Sequence, residues 1–260
     1  MPLAYLPGLR LNYRLDGAAA GPVLVLTHGL GTDLTLWDDL VPLLPPDLRV
    51  LRYDHRGHGK SDVPSPPYAM GALIRDAECL LDHLNIRDCA FLGLSMGGLV
   101  AQGLAVKRLD LVRTLILSNT AAKIGTEALW QSRIAQVRAG GFVAATTADG
   151  TGARGLPGIP ESGGWQNPLQ PVSADGYTGC AAAISGTDFY TPTAGLRLPT
   201  LAIAGSNDRV TPPDLVRETA GLVPGSRFVL IRGGGHLPFL EQPQAYSGAL
   251  TTFLKDTGHV

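Results

Sequence analysis

The chain has 260 residues, 45% of them hydrophobic and only 17% charged, against roughly 25% charged in an average protein. That length fits one large α/β domain with room for an insertion, and 33 Gly with 20 Pro stay below the level of a low-complexity chain. A formal net charge of −1 leaves no basic field for nucleic acid or an anionic membrane, and three scattered cysteines, Cys79, Cys89 and Cys180, with no C-x-x-C pair, exclude a disulfide framework and a thiolate zinc site. No apolar run approaches the roughly 20 residues that span a bilayer, and Met1 to Asp16 carries no signal pattern, so a cytoplasmic protein is expected.

The first elements read as a hairpin. Leu9 to Leu15 alternates apolar and polar residues, Pro7-Gly8 is a turn signal, and Leu3 to Leu6 is the partner strand. Val23 to Leu26 is a short, wholly apolar run between Gly21-Pro22 and His28-Gly29. Such a run suits a strand buried on both faces of a parallel sheet. Arg49 to Tyr53, Cys89 to Leu94, Val112 to Leu117, Thr200 to Ala204 and Arg227 to Ile231 look the same. Helical patterns fall between them. Leu73, Ala77, Leu80, Leu81 and Leu84 share one face, and Gly98 to Val106 reads as a tightly packed helix. Ala245, Tyr246, Ala249, Leu250, Phe253 and Leu254 share a face after Pro243, which suits a first helical turn. Strands alternating with helices predict an α/β fold with a mostly parallel sheet covered on both faces.

Residues 119–198 separate two buried strands by more than one crossover needs. They read as a cap inserted into a core of 1–118 and 199–260. The cap opens with a helical pattern at Leu129, Trp130, Ile134 and Val137. The span 143–176 is expected to be irregular, because Gly140 to Pro171 holds 12 Gly or Pro in 32 residues.

Gly93-Leu94-Ser95-Met96-Gly97 lies between a strand and a helix, the setting of a nucleophile elbow. Its serine sits on a strained turn, and a Cβ at either glycine is expected to collide with neighbouring backbone. A serine needs a base, and the base needs an orienting group. Asp208, in Gly205-Ser206-Asn207-Asp208, follows one strand, and His236, in Gly233-Gly234-Gly235-His236, follows the next. Both fall at the sheet edge expected for Ser95, in the chain order Ser, Asp, His. Ser95, Asp208 and His236 are therefore the candidate triad. An oxyanion needs two backbone N–H groups, assigned to Met96 and to Leu30 in the loop Thr27-His28-Gly29-Leu30-Gly31. His55 and His58, in Asp54-His55-Arg56-Gly57-His58-Gly59, could form a metal pair with His28. A loop held by Asp54 and Arg56 is the reading favoured here, so no metal site is expected. His83 is expected on a helix surface and His259 in a frayed terminus.

With these residues in view, the chain resembles the α/β-hydrolase superfamily, and within it the 3-oxoadipate enol-lactonases. The resemblance rests on Leu30 to Leu34 with Trp37, Arg52 to Gly59, Gly93 to Gly98, Ser118 to Thr126 and the run from Trp130 to Gly140. It extends through Ala204 to Asp208, Val210 to Pro213 and His236 with Glu241-Gln242-Pro243, and it leaves out about 143–176. It implies a small-molecule substrate, a carboxylated enol-lactone opened to 3-oxoadipate through an acyl-enzyme, with no cofactor. A family branch is fused to a decarboxylase domain, which is not expected here. Arg133 and Arg138 are candidates to bind the substrate carboxylate, with Trp37 and Trp130 as further substrate contacts. Competing readings are another small-ester hydrolase or perhydrolase, a receptor that keeps the triad to sense a lactone, and an inactive relative. The break in pattern at 143–176 suggests a replaced or frame-shifted lid, expected to leave the pocket more open.

Overall fold

The computed structural model describes residues 2–148 and 172–260, with side chains described outside 141–148. Eight strands form one sheet: β1 (Leu3–Leu6), β2 (Leu9–Gly17), β3 (Val23–Thr27), β4 (Arg49–Tyr53), β5 (Cys89–Leu94), β6 (Val112–Ser118), β7 (Thr200–Gly205) and β8 (Arg227–Ile231). Their order is β1-β2-β4-β3-β5-β6-β7-β8. The hairpin β1–β2 joins antiparallel to β4, and the strands from β4 to β8 run parallel. The helices are α1 (Met70–His83), α2 (Met96–Lys107), α3 (Glu127–Ala148), α4 (Ala174–Ser185), α5 (Tyr190–Ala194), α6 (Pro213–Gly221), α7 (Pro238–Glu241) and α8 (Pro243–Asp256). Among the described residues no helix is long and apolar enough to cross a membrane.

The wholly apolar runs are explained by two-sided burial. Val25, Phe91 and Leu115 align across β3, β5 and β6 and face one core, which α1 and α2 complete with Leu73, Leu80, Leu99 and Leu104. The intervening row Leu26, Leu92, Ile116 and Leu201 faces the opposite core, closed by Tyr246, Leu250, Phe253 and Leu254 of α8. Each such side chain stabilises the fold by about 1.5–3 kcal/mol. One run departs from this rule. Only Ile231 of β8 is buried, because β8 is an edge strand with a single neighbour. Its apolar residues therefore do not mark two-sided burial as the sequence suggests.

The chain visits β4 on one side of β3 and β5 on the other. The connections that follow β3 and β5 thus diverge at the carboxyl ends of the central strands, leaving a crevice there. The helices α3 and α4 lie over that end. Ser173 caps α4 by accepting from the Gly176 N–H at 2.9 Å. Gly57 and Gly176 bring their backbones together so closely that a Cβ on Gly57 meets the Gly176 Cα at 2.5 Å. Close by, the Tyr68 N–H donates to the Gly179 carbonyl at 3.2 Å. The buried Cys180 thiol lies 3.5 Å from the Arg56 carbonyl and 3.9 Å from His58 Nδ1. Arg56 itself is held by Asp76 of α1 at 2.6 and 2.7 Å.

Two expectations for the cap need correction at its edges. α3 continues to Ala148, six residues into the span read as irregular, since Ala144, Ala145 and Ala148 are the best helix formers and offset the Gly140-Gly141 pair. α4 begins at Ala174, before that span ends. The remainder of the irregular reading, 149–171, lies outside the described residues. His259 is not frayed either: its Nε2 lies 3.0 Å from the Val23 carbonyl. His83 is exposed on α1, as expected.

Candidate active site

Ser95 stands between β5 and α2 with φ 52° and ψ −115°. This left-handed backbone is strained for a residue with a Cβ, and it survives because the surroundings fix it. The Ser95 N–H donates to the Ser118 carbonyl at 3.0 Å, and the Ser95 carbonyl accepts from Thr120 Oγ1 at 2.6 Å and from the Gly98 N–H at 2.9 Å. A Cβ on Gly97 meets the Thr27 carbonyl at 2.6 Å, and one on Gly93 collides with the Gly97 carbonyl. The two glycines of the motif thus let β5, α2 and the loop after β3 approach within one backbone thickness.

His236 and Asp208 meet across two loops. His236 Nδ1–H donates to Asp208 Oδ2 at 2.9 Å, which leaves Nε2 as the acceptor. Asp208 is saturated by further donors. Oδ1 accepts from the Val210 and Thr211 N–H groups at 2.8 and 3.1 Å, and Oδ2 from Thr211 Oγ1 at 2.8 Å and Asn119 Nδ2 at 2.7 Å. Burial pushes the Asp208 carboxyl upward, but the His236 imidazole and the donors from Asn119 and Thr211 outweigh it and hold it below the usual range. The carboxylate is therefore charged and fixed. Glu241 braces the same loop by accepting from the Gly235 N–H.

One cavity joins Ser95 and His236. Its floor is Ser95, His236, Leu237, Gly29, Leu30 and Thr32. Its roof is Ile124, Trp130 and Arg133 from the cap entry and α3, with Tyr177 and Ile184 of α4. Met96 begins α2 with its side chain in the core, and the first N–H groups of a helix have no partner within the helix. Leu30 lines the cavity with Ser95, and Met96 follows Ser95 in the chain as the first residue of α2. A serine and an imidazole in one cavity, the imidazole oriented by a buried carboxylate, suit acyl transfer.

The remaining predicted contacts divide. Trp130 and Arg133 line the cavity, the guanidinium lying 5.9 Å from the indole ring. Arg138 is exposed and does not line it. Trp37 is fully buried in the core under α8, its ring 4.5 Å from Phe239, and does not line the cavity. An aromatic in a short 3-10 turn (Leu34–Trp37) reads alike whether it faces a pocket or a core. Asn119, Thr120, Thr211 and Tyr177 join the site without having been singled out for it. The signals for Asn119 were its place at the carboxyl end of β6 and its part in the Ser118 to Thr126 run that carries the resemblance.

The histidines of the glycine-rich loop form a buried cluster, with ring centroids of His55 and His58 at 4.6 and 5.4 Å from that of His28. His28 Nε2 accepts from the His55 N–H at 3.0 Å and its Nδ1–H donates to the Gly29 carbonyl at 2.8 Å. His58 Nε2 accepts from the Gly31 N–H at 3.0 Å. Two neutral imidazoles thus hold the loop that carries Leu30. Asp54 accepts from Leu34 N, Lys60 N and Asn12 Nδ2, as a loop-holding residue does. Among the described residues no group of three or more His, Cys, Asp or Glu is placed to hold a metal ion.

Comparisons with known proteins agree with this fold. The model of the alpha/beta hydrolase family matches residues 24–249. The chain is 35% identical to 3-oxoadipate enol-lactonase 2 of Acinetobacter baylyi over 94% of its own length and 93% of that protein. The enol-lactonase of Burkholderia xenovorans LB400 superposes with a TM-score of 0.90 at 33% identity, covering 98% of this chain and all of that one. A hydrolase from Pseudomonas aeruginosa PA01 superposes at 0.88 with 39% identity, covering 97% and 98%. A parallel sheet whose central crevice carries a strained serine, together with a family match over most of the length, places the chain in the alpha/beta hydrolase family.

Proposed function

We propose that the chain is a serine-dependent lactonase that opens a carboxylated enol-lactone of the 3-oxoadipate type, acting in aromatic catabolism in the cytoplasm. The enol-lactonases of Acinetobacter and Burkholderia that it resembles support the substrate class. The observation that carries the reading is the His236–Asp208 pair at 2.9 Å, with His236 and Ser95 on the floor of one cavity.

In this reading His236 Nε2 takes the Ser95 hydroxyl proton while Oγ adds to the lactone carbonyl. Asp208 holds the tautomer and stabilises the imidazolium that forms. The Leu30 and Met96 amides receive the oxyanion. Collapse breaks the ring C–O bond, and His236 returns its proton to the enol oxygen. The enol then tautomerises to the ketone while its chain stays tethered to Ser95 as an ester. Water, deprotonated by His236, adds to that ester and frees the serine. Arg133 in the roof supplies the cation for the substrate carboxylate, with Trp130 beside it. Arg138 and Trp37 have no place in this scheme.

The test is turnover of 3-oxoadipate enol-lactone by the wild type and by Ser95→Ala. The variant is expected to lose at least about a thousand-fold in kcat with an unchanged melting temperature. Retention of more than a small fraction of the activity by Ser95→Ala refutes the assignment.

A further inference from the structure

Asn119 follows β6 directly, is fully buried, and holds φ 46°. Asparagine is one of the few residues with a Cβ that tolerates that region. Its backbone N–H donates to the Ile203 carbonyl of β7 at 2.8 Å, and its Oδ1 lies 3.3 Å from Ser118 Oγ. Its side-chain amide spends both hydrogens on the site. Nδ2 donates to Asp208 Oδ2 at 2.7 Å and to the Gly235 carbonyl, which joins Gly235 to His236, at 3.1 Å. The neighbours on either side hold the third element, since Ser118 accepts from the Ser95 N–H and Thr120 donates to the Ser95 carbonyl. Three consecutive residues thus touch the backbone of Ser95, the carboxylate of Asp208 and the backbone next to His236.

This arrangement does more than fill hydrogen-bond capacity. Asp208 Oδ2 already receives Thr211 Oγ1 at 2.8 Å and His236 Nδ1 at 2.9 Å, and a carboxylate oxygen has two lone-pair directions. A third donor on that atom competes with the imidazole. It limits how strongly Asp208 attracts the His236 N–H, while the bond to Gly235 fixes how far the imidazole stands from the carboxylate.

We propose that Asn119 is a positioning residue for the reaction, clamping the Asp208–His236 pair to the end of β6, whose neighbouring residues hold the Ser95 backbone, and setting the strength of their mutual hydrogen bond. The proposal rests on the reading of Ser95, His236 and Asp208 as a triad.

Two variants separate this role from a purely structural one. Asn119→Gly keeps the left-handed backbone at no steric cost and removes the amide. Asn119→Asp keeps the shape and sets a second carboxylate against Asp208. Both are assayed on the enol-lactone, with kcat, KM and the pH profile of kcat/KM, alongside the melting temperature. Asn119→Gly is expected to lose about 10- to 100-fold in kcat, with KM within about three-fold. The acid limb of the profile is expected to move to higher pH, because Asp208, freed of one donor, stabilises the imidazolium more. Asn119→Asp is expected to move that limb further in the same direction. Wild-type kcat in Asn119→Gly overturns the proposal, as does lost activity with an unmoved acid limb in both variants. If Asn119→Gly fails to fold, the acid limb of Asn119→Asp decides alone. Failure of the triad reading shows elsewhere: a fluorophosphonate probe then leaves Ser95 unlabelled in the wild-type protein.

Discussion

Mild acid should loosen this fold by an amount that three histidines set. His28, His55 and His58 are buried together, which disfavours their charged forms. Burial pushes His58 down to about 3, with the neighbouring His28 adding to the effect, and it lowers His28 and His55 as well. In the unfolded chain each imidazole titrates near 6.5. A base whose pKa the fold depresses lends stability that is complete above the unfolded value and is lost as pH falls toward the folded one. Between pH 7.5 and 5.5 the unfolded chain takes up nearly one proton per residue, which costs about 1.4 kcal/mol for each imidazole that stays neutral in the fold. His259, half-buried on the Val23 carbonyl, acts in the same sense. Asp54, Asp76 and Glu241, whose carboxyls burial raises, act oppositely toward the lower end of the window. The assay is urea unfolding at pH 7.5, 6.5 and 5.5, followed by tryptophan fluorescence and extrapolated to water. In His58→Gln the pH-dependent loss is expected to shrink by about 1.4 kcal/mol, because one imidazole held neutral by burial is gone. A wild-type stability that changes by less than about 1 kcal/mol across the window refutes the reasoning.

Two further outcomes are expected. Arg133→Ala should raise KM for the enol-lactone by about ten-fold and leave a neutral ester such as p-nitrophenyl acetate unaffected, as loss of a charge-assisted hydrogen bond requires; steady-state kinetics on both substrates check this. Gly176→Ala should destabilise by about 1–3 kcal/mol, because its Cβ collides with the Gly57 carbonyl, and a lower melting temperature with a raised KM would register α4 lifting from the core.

What the sequence disclosed follows from where its information is local. Val23 to Thr27 and Cys89 to Leu94 are apolar on both faces because both faces are buried, so their runs could be read directly. Arg227 to Ile231 carries the same pattern on an edge strand, because composition does not record how many neighbours a strand has. Ser95, Asp208 and His236 could be placed from strand ends and chain order alone. Asn119 could not, since its partners are 89 and 116 residues away and only the folded sheet brings them together. Trp37 was misplaced for a related reason: one turn of backbone decides whether an indole meets Phe239 or a substrate. In the cap, the glycines at 140 and 141 suggested the onset of irregular chain, yet α3 runs through them to Ala148, with alanines beyond them favouring the helix.

The docking of α4 on the Arg56–His58 loop gives the protein an internal reporter. Burial raises the Cys180 thiol far above its usual range, and the same holds for Cys89 in β5, while Cys79 is partly exposed. A thiolate is the species that reacts with disulfide reagents, so the two closed thiols stay silent until their surroundings open. They sit in different parts of the molecule. Cys180 is uncovered when α4 leaves the glycine-rich loop, whereas Cys89 is uncovered only when the central sheet comes apart. The rate at which a reagent such as DTNB labels Cys180 relative to Cys89 therefore times the breathing of the roof separately from the unfolding of the hydrolase core.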